Sequence, residues 1–506
     1  MLFNSVVFVL LFLPAVFLLF AYVHRRSIEA SLLVLLIASI VFYAWWRPVY
    51  LLLLGASIGV NYAIGLRLQA AGASRGWLIL GVALNLGCLA FFKYTDFFIG
   101  SLDDAFGFGI ARPEIVLPLA ISFYTFTQIA YLVDSWRGLV KDARFSDFAL
   151  FVTFFPHLIA GPIVHHSELM PQFRKFMRRE DLWQDLAFGL TWFSIGLFKK
   201  VVIADTIAAK IDPVYAAAKA GQLVTFLEAW AACLGYTMQL YFDFSGYSDM
   251  AVGLGLMFGV KLPLNFASPY KAVNIVEFWR RWHITLSRFL REYLYVPLGG
   301  NRKGPVRRYV NLMITMLLGG LWHGAGWTFV IWGTLHGVYL CLNHLWRGIK
   351  AMLGWRQEGG YFARLGAGAL TFMVVALAWV LFRADSLASA GNIFHGLVGG
   401  NGVLVSEKTG AWLAQHGALP AWIAVAPDKH VGALTTIDIF SWIAVALALV
   451  WLAPNTQQLM GEDGARWYRW KPTFIWTSFA TIASIVPLYY MLYLPNRIVR
   501  FIYYNF

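Results

Sequence analysis

Apolar positions gather into long runs along this chain. Five of them, at 3–23, 29–46, 50–66, 77–95 and 115–133, are each long enough to cross a bilayer. Later runs lie near 184–203, 222–241, 247–260, 308–321, 325–346, 363–383, 436–453 and 472–493. The early connections alternate in charge. His24-Arg25-Arg26 and the stretch Arg67 to Arg75 are basic, and the tip around Trp45-Trp46-Arg47-Pro48 is short. The loop from Tyr94 to Glu114 sets Asp96, Asp103, Asp104 and Glu114 against Arg112. Since cations are enriched in cytoplasmic loops, the N-terminus and the acidic loop are expected outside. Met1 to Val23 has no basic region before its apolar run and no small-residue cleavage site after it, so it reads as a first transmembrane helix.

Phe148 to Val164 breaks this rhythm. It is apolar but interrupted by Pro156, Gly161 and Pro162, which remove donors and loosen the backbone. Arg137, Lys141 and Arg144 precede it, and Arg174-Lys175 and Arg178-Arg179 follow it. Basic flanks on both sides predict a re-entrant or broken helix, which survives at membrane depth only where protein or a cavity surrounds it. Residues 399–435 are the least apolar long connection, expected as a loop with an interfacial piece. No repeat or low-complexity tract divides the chain, so 1–506 reads as one integral membrane domain.

Composition agrees. Of 506 residues, 59% are apolar and 13% charged, too few charges to coat a soluble globule. About 300 apolar residues supply at most ~15 spans of ~20 residues. Loops and interior breaks take some of these, which predicts an all-α polytopic membrane protein with 11 to 13 transmembrane or membrane-embedded helices. The net charge of +14 would suggest nucleic acid in a soluble protein. Here it fits cytoplasmic loops and anionic lipid, with no nucleic acid as partner. Cys88, Cys233 and Cys341 sit in apolar stretches without CxxC spacing, as small core residues do.

Three segments carry candidate chemistry. Read as one helix, Glu277 to Glu292 gathers Glu277, Arg280, Arg281, Arg288, Arg291 and Glu292 within an arc of about 120°. Phe278, Trp279, Trp282, Leu286, Phe289, Leu290 and Tyr293 cover the other side, predicting an amphipathic helix in the membrane interface. His283 falls at the edge of the apolar arc, where it either snorkels or points into a site. In the second segment, Gly319-Gly-Leu-Trp-His323-Gly-Ala-Gly-Trp327, an imidazole sits between pairs of small residues and a helix is expected to break. A histidine this deep in apolar sequence is a functional candidate, against the plainer reading of a ring bonded to a carbonyl. Were 323 to 336 one helix, His336 would lie about 20 Å from His323, too far to share a metal. No His, Cys or carboxylate set has zinc spacing, and no catalytic metal is expected. In the third, Tyr241-Phe-Asp-Phe-Ser-Gly-Tyr-Ser-Asp249, Asp243 and Asp249 are about 240° apart on a helix. Ser245 or Asp243 either caps a helix after a break at Gly246 or joins Asp249 in lining a polar cavity.

Two mechanisms suit an intramembrane histidine with nearby carboxylates: a proton-coupled transporter, or an enzyme using the histidine as general base. Paired broken helices in two halves, expected of many transporters, are not visible. No Walker A, Rossmann glycine or Ser-His-Asp pattern occurs.

At these residues the sequence resembles the membrane-bound O-acyltransferase family, and within it the branch of bacterial alginate O-acetyltransferase membrane subunits. The resemblance runs through Leu117-Pro-Leu-Ala-Ile-Ser-Phe-Tyr-Thr-Phe126, Phe155-Pro-His-Leu-Ile-Ala-Gly-Pro-Ile163, Tyr241 to Asp249, Phe278-Trp-Arg-Arg-Trp-His-Ile-Thr-Leu-Ser287 and Gly319-Gly-Leu-Trp-His-Gly324. It covers residues 1–350 well and the C-terminal third loosely. Ala120 stands where the branch often has Gly. The resemblance implies a ring of tilted helices with a funnel on each side, so that donor and acceptor meet within the membrane. It implies His323 as the family's histidine and His283 as a second motif histidine. It further implies acetyl-CoA as a cytoplasmic donor substrate, with no permanently bound cofactor, and periplasmic acetyltransferase partners that modify an exported polysaccharide. D-alanyl transfer, or peptidoglycan or cellulose acetylation, would use the same motifs. Trp322, Trp327, Arg280, Arg281, Asp243, Ser245 and Asp249 are candidate substrate contacts, and Arg302-Lys303 and Arg307-Arg308 could attract either CoA phosphates or lipid headgroups. A bacterial inner-membrane location follows.

Overall fold

The computed structural model describes residues 1–70, 72–140, 144–175, 182–354, 360–417, 420, 423–426, 437–461, 465, 468–494 and 502. A π-helical turn, Phe8–Phe12, leads into α1 (Leu13–His24), followed by α2 (Ile28–Ala44), α3 (Tyr50–Gln69) and α4 (Arg75–Phe106). Ser27 and Ser74 start α2 and α4 by accepting N–H groups of the first turns. Next come α5 (Ile121–Trp136), α6 (Phe145–Thr153), α7 (Phe155–Leu158), α8 (His166–Leu169), α9 (Gln172–Lys175) and α10 (Leu182–Phe198). A π-helical stretch, Lys199–Ala204, joins α10 to α11 (Asp205–Lys219), and α12 (Phe226–Met257) follows. The middle of the chain holds α13 (Ile275–Arg281), α14 (Ile284–Leu290), α15 (Gly304–His323) and α16 (Trp327–Met352). Then come α17 (Tyr361–Arg383), α18 (Leu387–Leu397), strand β1 (Val403–Ser406), α19 (Glu407–Gln415) and strand β2 (Ile423–Ala426). The last helices are α20 (Ile437–Leu452), α21 (Thr456–Met460) and α22 (Phe474–Tyr493).

Among the described residues, five helical segments are long and apolar enough to cross a membrane: Tyr50–Gln69, Arg75–Phe106, Leu182–Lys219, Tyr361–Arg383 and Phe474–Tyr493. Phe8–His24, Ile28–Ala44 and Asp438–Leu452 are shorter apolar helices. The chain is therefore a helical, multi-pass membrane protein.

Several elements differ from the sequence reading. The expected spans 222–241 and 247–260 are one helix, α12, running unbroken through Gly246. That glycine serves close packing instead. A Cβ on Gly246 would lie 2.7 Å from the Gly196 carbonyl oxygen, and one on Gly253 would lie 2.6 Å from that of Gly189. Two small residues seven apart on each helix let the α10 and α12 backbones touch. Gly253→Leu would drive a side chain into the backbone of Gly189 and Phe193, where nothing can give. It should abolish the monodisperse peak of detergent-purified protein. A wild-type yield and elution profile would show that the crossing is not needed.

The Phe148–Val164 segment is broken as expected. Phe154 separates α6 from α7, Pro156 opens α7, and the chain from Phe148 to His166 is buried within protein. Of its basic flanks, Lys141, Arg178 and Arg179 lie outside the described residues. The 399–435 connection contains a small β–α–β unit, with β1 paired in parallel to β2. Its hydrogen bonds close locally, so a short sheet forms in a helical protein.

The amphipathic segment 277–292 is not one helix. It splits at Trp282-His283, with His283 at φ 43° between α13 and α14, and ends in a π-helical turn, Arg291–Tyr295. Nor is it wholly interfacial: Phe278, Trp282, His283 and Leu286 are each at most 1% exposed. The break expected within Gly319–Trp327 is present: it occupies Gly324 to Gly326, after α15 ends at His323, while Gly319 and Gly320 lie inside α15. A Cβ on Gly320 would lie 2.4 Å from the Phe329 carbonyl, and one on Gly333 2.4 Å from that of Met316. α15 and α16 thus fold back as a tight hairpin, and the continuous-helix separation of His323 from His336 does not apply.

Candidate active site

His323 is the last residue of α15, held where the helix stops because Gly324 is fully extended, at φ −169°. Its side chain is buried, 2% exposed. The ring meets Trp322 at 4.9 Å, Trp332 of α16 at 5.2 Å and Phe382 of α17 at 5.1 Å between centroids. Three aromatic walls fix the imidazole and exclude bulk water.

His283 faces the same place from another element. Its positive φ turns the chain, and its Nδ1 accepts the Leu286 N–H at 3.3 Å, capping α14. In the neutral ring this leaves the proton on Nε2. Asn265 supports the bend: its carbonyl accepts the Ile284 N–H at 3.0 Å and its Oδ1 accepts the Thr285 hydroxyl at 2.6 Å. The Thr285 Oγ1 in turn accepts the Ile163 N–H at 2.9 Å, tying in the broken 148–164 segment. The His283 ring lies 4.7 Å from Phe244 of α12 and 6.3 Å from Trp322. Trp322 therefore stands between the two histidines, itself stacked on Phe126 at 5.2 Å. His283 therefore does not snorkel: it is buried beside Trp322, as His323 is. The two belong to one buried site.

A third imidazole joins this neighbourhood. His336, fully buried, lies 4.7 Å from Trp332 and 5.2 Å from Trp279. His323 and His336 thus pack on the same Trp332 ring. Among the described residues no group of three His, Cys, Asp or Glu side chains is arranged to hold a metal ion.

The carboxylates go elsewhere. Asp249 accepts from Lys199 Nζ at 2.6 Å, from the Thr456 hydroxyl at 2.7 Å and from Trp192 Nε1 at 3.2 Å. Asp243 pairs with Lys200, which also binds Asp205 at 2.6 Å, and it accepts the Ile502 N–H at 3.1 Å. Neither carboxylate caps a helix, because α12 does not break. The π-helical turn at Lys199 sends two consecutive lysines to these aspartates on α12. Ser245 is buried on the same helix, next to Phe244.

The remaining candidates scatter. Trp327 is 55% exposed and packs on Phe97 at 5.7 Å, outside the ring cluster around His323. Arg280 is exposed, while Arg281 is bound to Glu277 at 2.5 Å. Arg288 grips both oxygens of Glu168 at 2.5 and 2.8 Å, fastening α14 to α8. Burial opposes the Glu168 carboxylate, but the Arg288 fork outweighs it and holds the carboxyl below its ordinary range.

Lys93 of α4 escaped the sequence reading. It is 8% exposed, and its ammonium donates to the Trp322 carbonyl and, at 3.2 Å, to the Ser122 hydroxyl. Next to it, Tyr94 Oη donates to the Leu321 carbonyl at 2.9 Å. A lone lysine within the apolar run 77–95 was the available signal.

Comparison with known proteins bears on this arrangement. The profile of the membrane-bound O-acyltransferase family matches residues 114–363. The chain is 47% identical to a peptidoglycan O-acetyltransferase of Helicobacter pylori, over 80% of this chain and 81% of that protein. It is 46% identical to a probable alginate O-acetylase of Pseudomonas aeruginosa, over 78% and 75% of the two chains. A teichoic acid D-alanyltransferase of Bacillus subtilis is 27% identical, over 52% and 68%.

Proposed function

Because the chain belongs to the membrane-bound O-acyltransferase family, we propose that it carries acetyl groups from cytoplasmic acetyl-CoA to an exported polysaccharide, with a periplasmic acetyltransferase as partner. The observation that carries this reading is the pair of buried imidazoles on either side of Trp322. A thioester carbonyl is already activated, so the protein must supply a base for the acceptor hydroxyl and a donor for the oxyanion. His323 takes the hydroxyl proton as the oxygen bonds to the acetyl carbon. The C–S bond then breaks, and the proton passes from His323 to the leaving thiolate. His283, protonated at Nε2, is placed to polarise the carbonyl.

The donor's phosphates suit the basic end of the α15–α16 hairpin. Arg302 and Lys303 precede α15 there, Arg307 and Arg308 lie in its first turns, and Arg347 and Lys350 lie near the end of α16. A cavity of about 730 Å³ lies between α13, α16 and α17, with Arg347, Lys350 and Arg364 among its lining residues. Tyr339 on its wall touches His336, which touches Trp332, which touches His323. Cations at that end favour the cytoplasmic leaflet of an inner membrane, at about 1 kcal/mol each. Alginate and peptidoglycan are both candidate acceptors, given the two relatives. The family favours an enzyme over the proton-coupled transporter.

The test uses purified protein in nanodiscs, with acetyl-CoA and a thiol-reactive dye. Free CoA should appear at a rate that rises when the partner and a hydroxylated glycan are added. If acetyl-CoA is never consumed while a D-alanyl or other carrier thioester is, the donor assignment fails.

A further inference from the structure

We propose that Lys93 is a positioning residue for acyl transfer, anchoring the C-terminal end of α15 so that His323 presents its ring to the acceptor hydroxyl. The geometry is specific. The last carbonyls of a helix lack intrahelical partners and carry the negative end of its dipole. Here α4 supplies both partners from adjacent positions, Lys93 to Trp322 and Tyr94 to Leu321. Lys93 also reaches Ser122 on α5, so one ammonium joins α4, α5 and α15 at the residue preceding His323. It lies 5.8 Å from the Trp322 ring centroid, which places a cation beside the aromatic wall shared by both histidines.

Stability alone is a poor reason for this lysine. Among the described residues its contacts are a carbonyl, a hydroxyl and a ring face, with no carboxylate paired to it. A buried ammonium without a counter-charge is expensive, and a neutral donor would bond the same two oxygens for less. Contrast Lys199 and Lys200, which are matched to Asp249, Asp205 and Asp243. What position 93 adds is reach: from α4 one side chain holds both the carbonyl preceding His323 and the hydroxyl of Ser122 on α5. A helix end fixed in this way keeps the His323 ring in one orientation, which a general base needs in order to take the hydroxyl proton.

The experiment compares wild type, Lys93→Gln, Lys93→Arg and Ser122→Ala, as full-length protein in nanodiscs. Backbone hydrogen exchange of the peptide from Leu318 to Trp327, read by mass spectrometry, reports how firmly the end of α15 is held without any substrate. Lys93→Gln should exchange there at least fivefold faster, Lys93→Arg should return toward wild type, and Ser122→Ala should stay within about twofold of it. This arm stands whatever the substrate proves to be. The kinetic arm rests on the acyltransfer reading: Lys93→Gln should lose at least tenfold in kcat with donor KM within about twofold, and Lys93→Arg should recover most of it. Unchanged exchange at the α15 end in Lys93→Gln would overturn the proposal. So would kinetics within twofold of wild type, or equal loss in the Gln and Arg variants with lowered thermal stability, which would mark Lys93 as structural only.

Discussion

His323→Ala abolishes acyl transfer, lowering kcat/KM by at least ~10²-fold, while membrane insertion and yield stay close to wild type. The size follows from the role. A positioned base contributes typically ~10²–10⁴-fold, and among the described residues no other imidazole is held by three aromatic walls at a helix end. Survival of the fold follows from the surroundings. The ring sits against Trp322, Trp332 and Phe382, which also pack on one another or on Phe126, Phe329 and Trp379. Removing it leaves a small gap in a large cluster, a loss of a few kcal/mol at most. Acetylated polymer at wild-type levels from cells carrying only the variant would remove His323 from the chemistry.

Much of the fold was legible because apolar length is a strong signal. α3, α17 and α22 begin and end within about four residues of the runs that announce them. The proline and glycine interruptions of Phe148–Val164 likewise gave the break between α6 and α7. One error has a clear physical cause: Gly246 was read as a local breaker when its partner, Gly196, lay far away in sequence, and no local pattern states which backbone will come close. The same limit hid the fate of Asp243 and Asp249, whose partners sit on the π-helical turn at Lys199 and Lys200. The burial of His323 was legible in its apolar surroundings. Its nearness to His283 was not, because periodicity assumed a straight helix where the chain turns at φ 43°.

That turn makes His283 the second decisive position, and it separates shape from chemistry. His283→Ala loses the ring, the Nδ1 cap on the Leu286 N–H and a side chain suited to the bend. Left-handed backbone costs an ordinary residue roughly 1–2 kcal/mol, and losing a cap costs about 0.5–2. The alanine variant should therefore be both less stable and at least ~10²-fold slower. Asparagine tolerates left-handed backbone and offers an oxygen to the same N–H. His283→Asn should accordingly melt within about 2 °C of wild type, with Asn265 and Thr285 still holding the bend. If His283 polarises the thioester carbonyl through Nε2, the asparagine protein will be as slow as the alanine one despite its restored stability. If instead asparagine restores transfer to within about threefold of wild type, His283 only shapes the wall behind Trp322, and the oxyanion must be met by another donor in the same pocket.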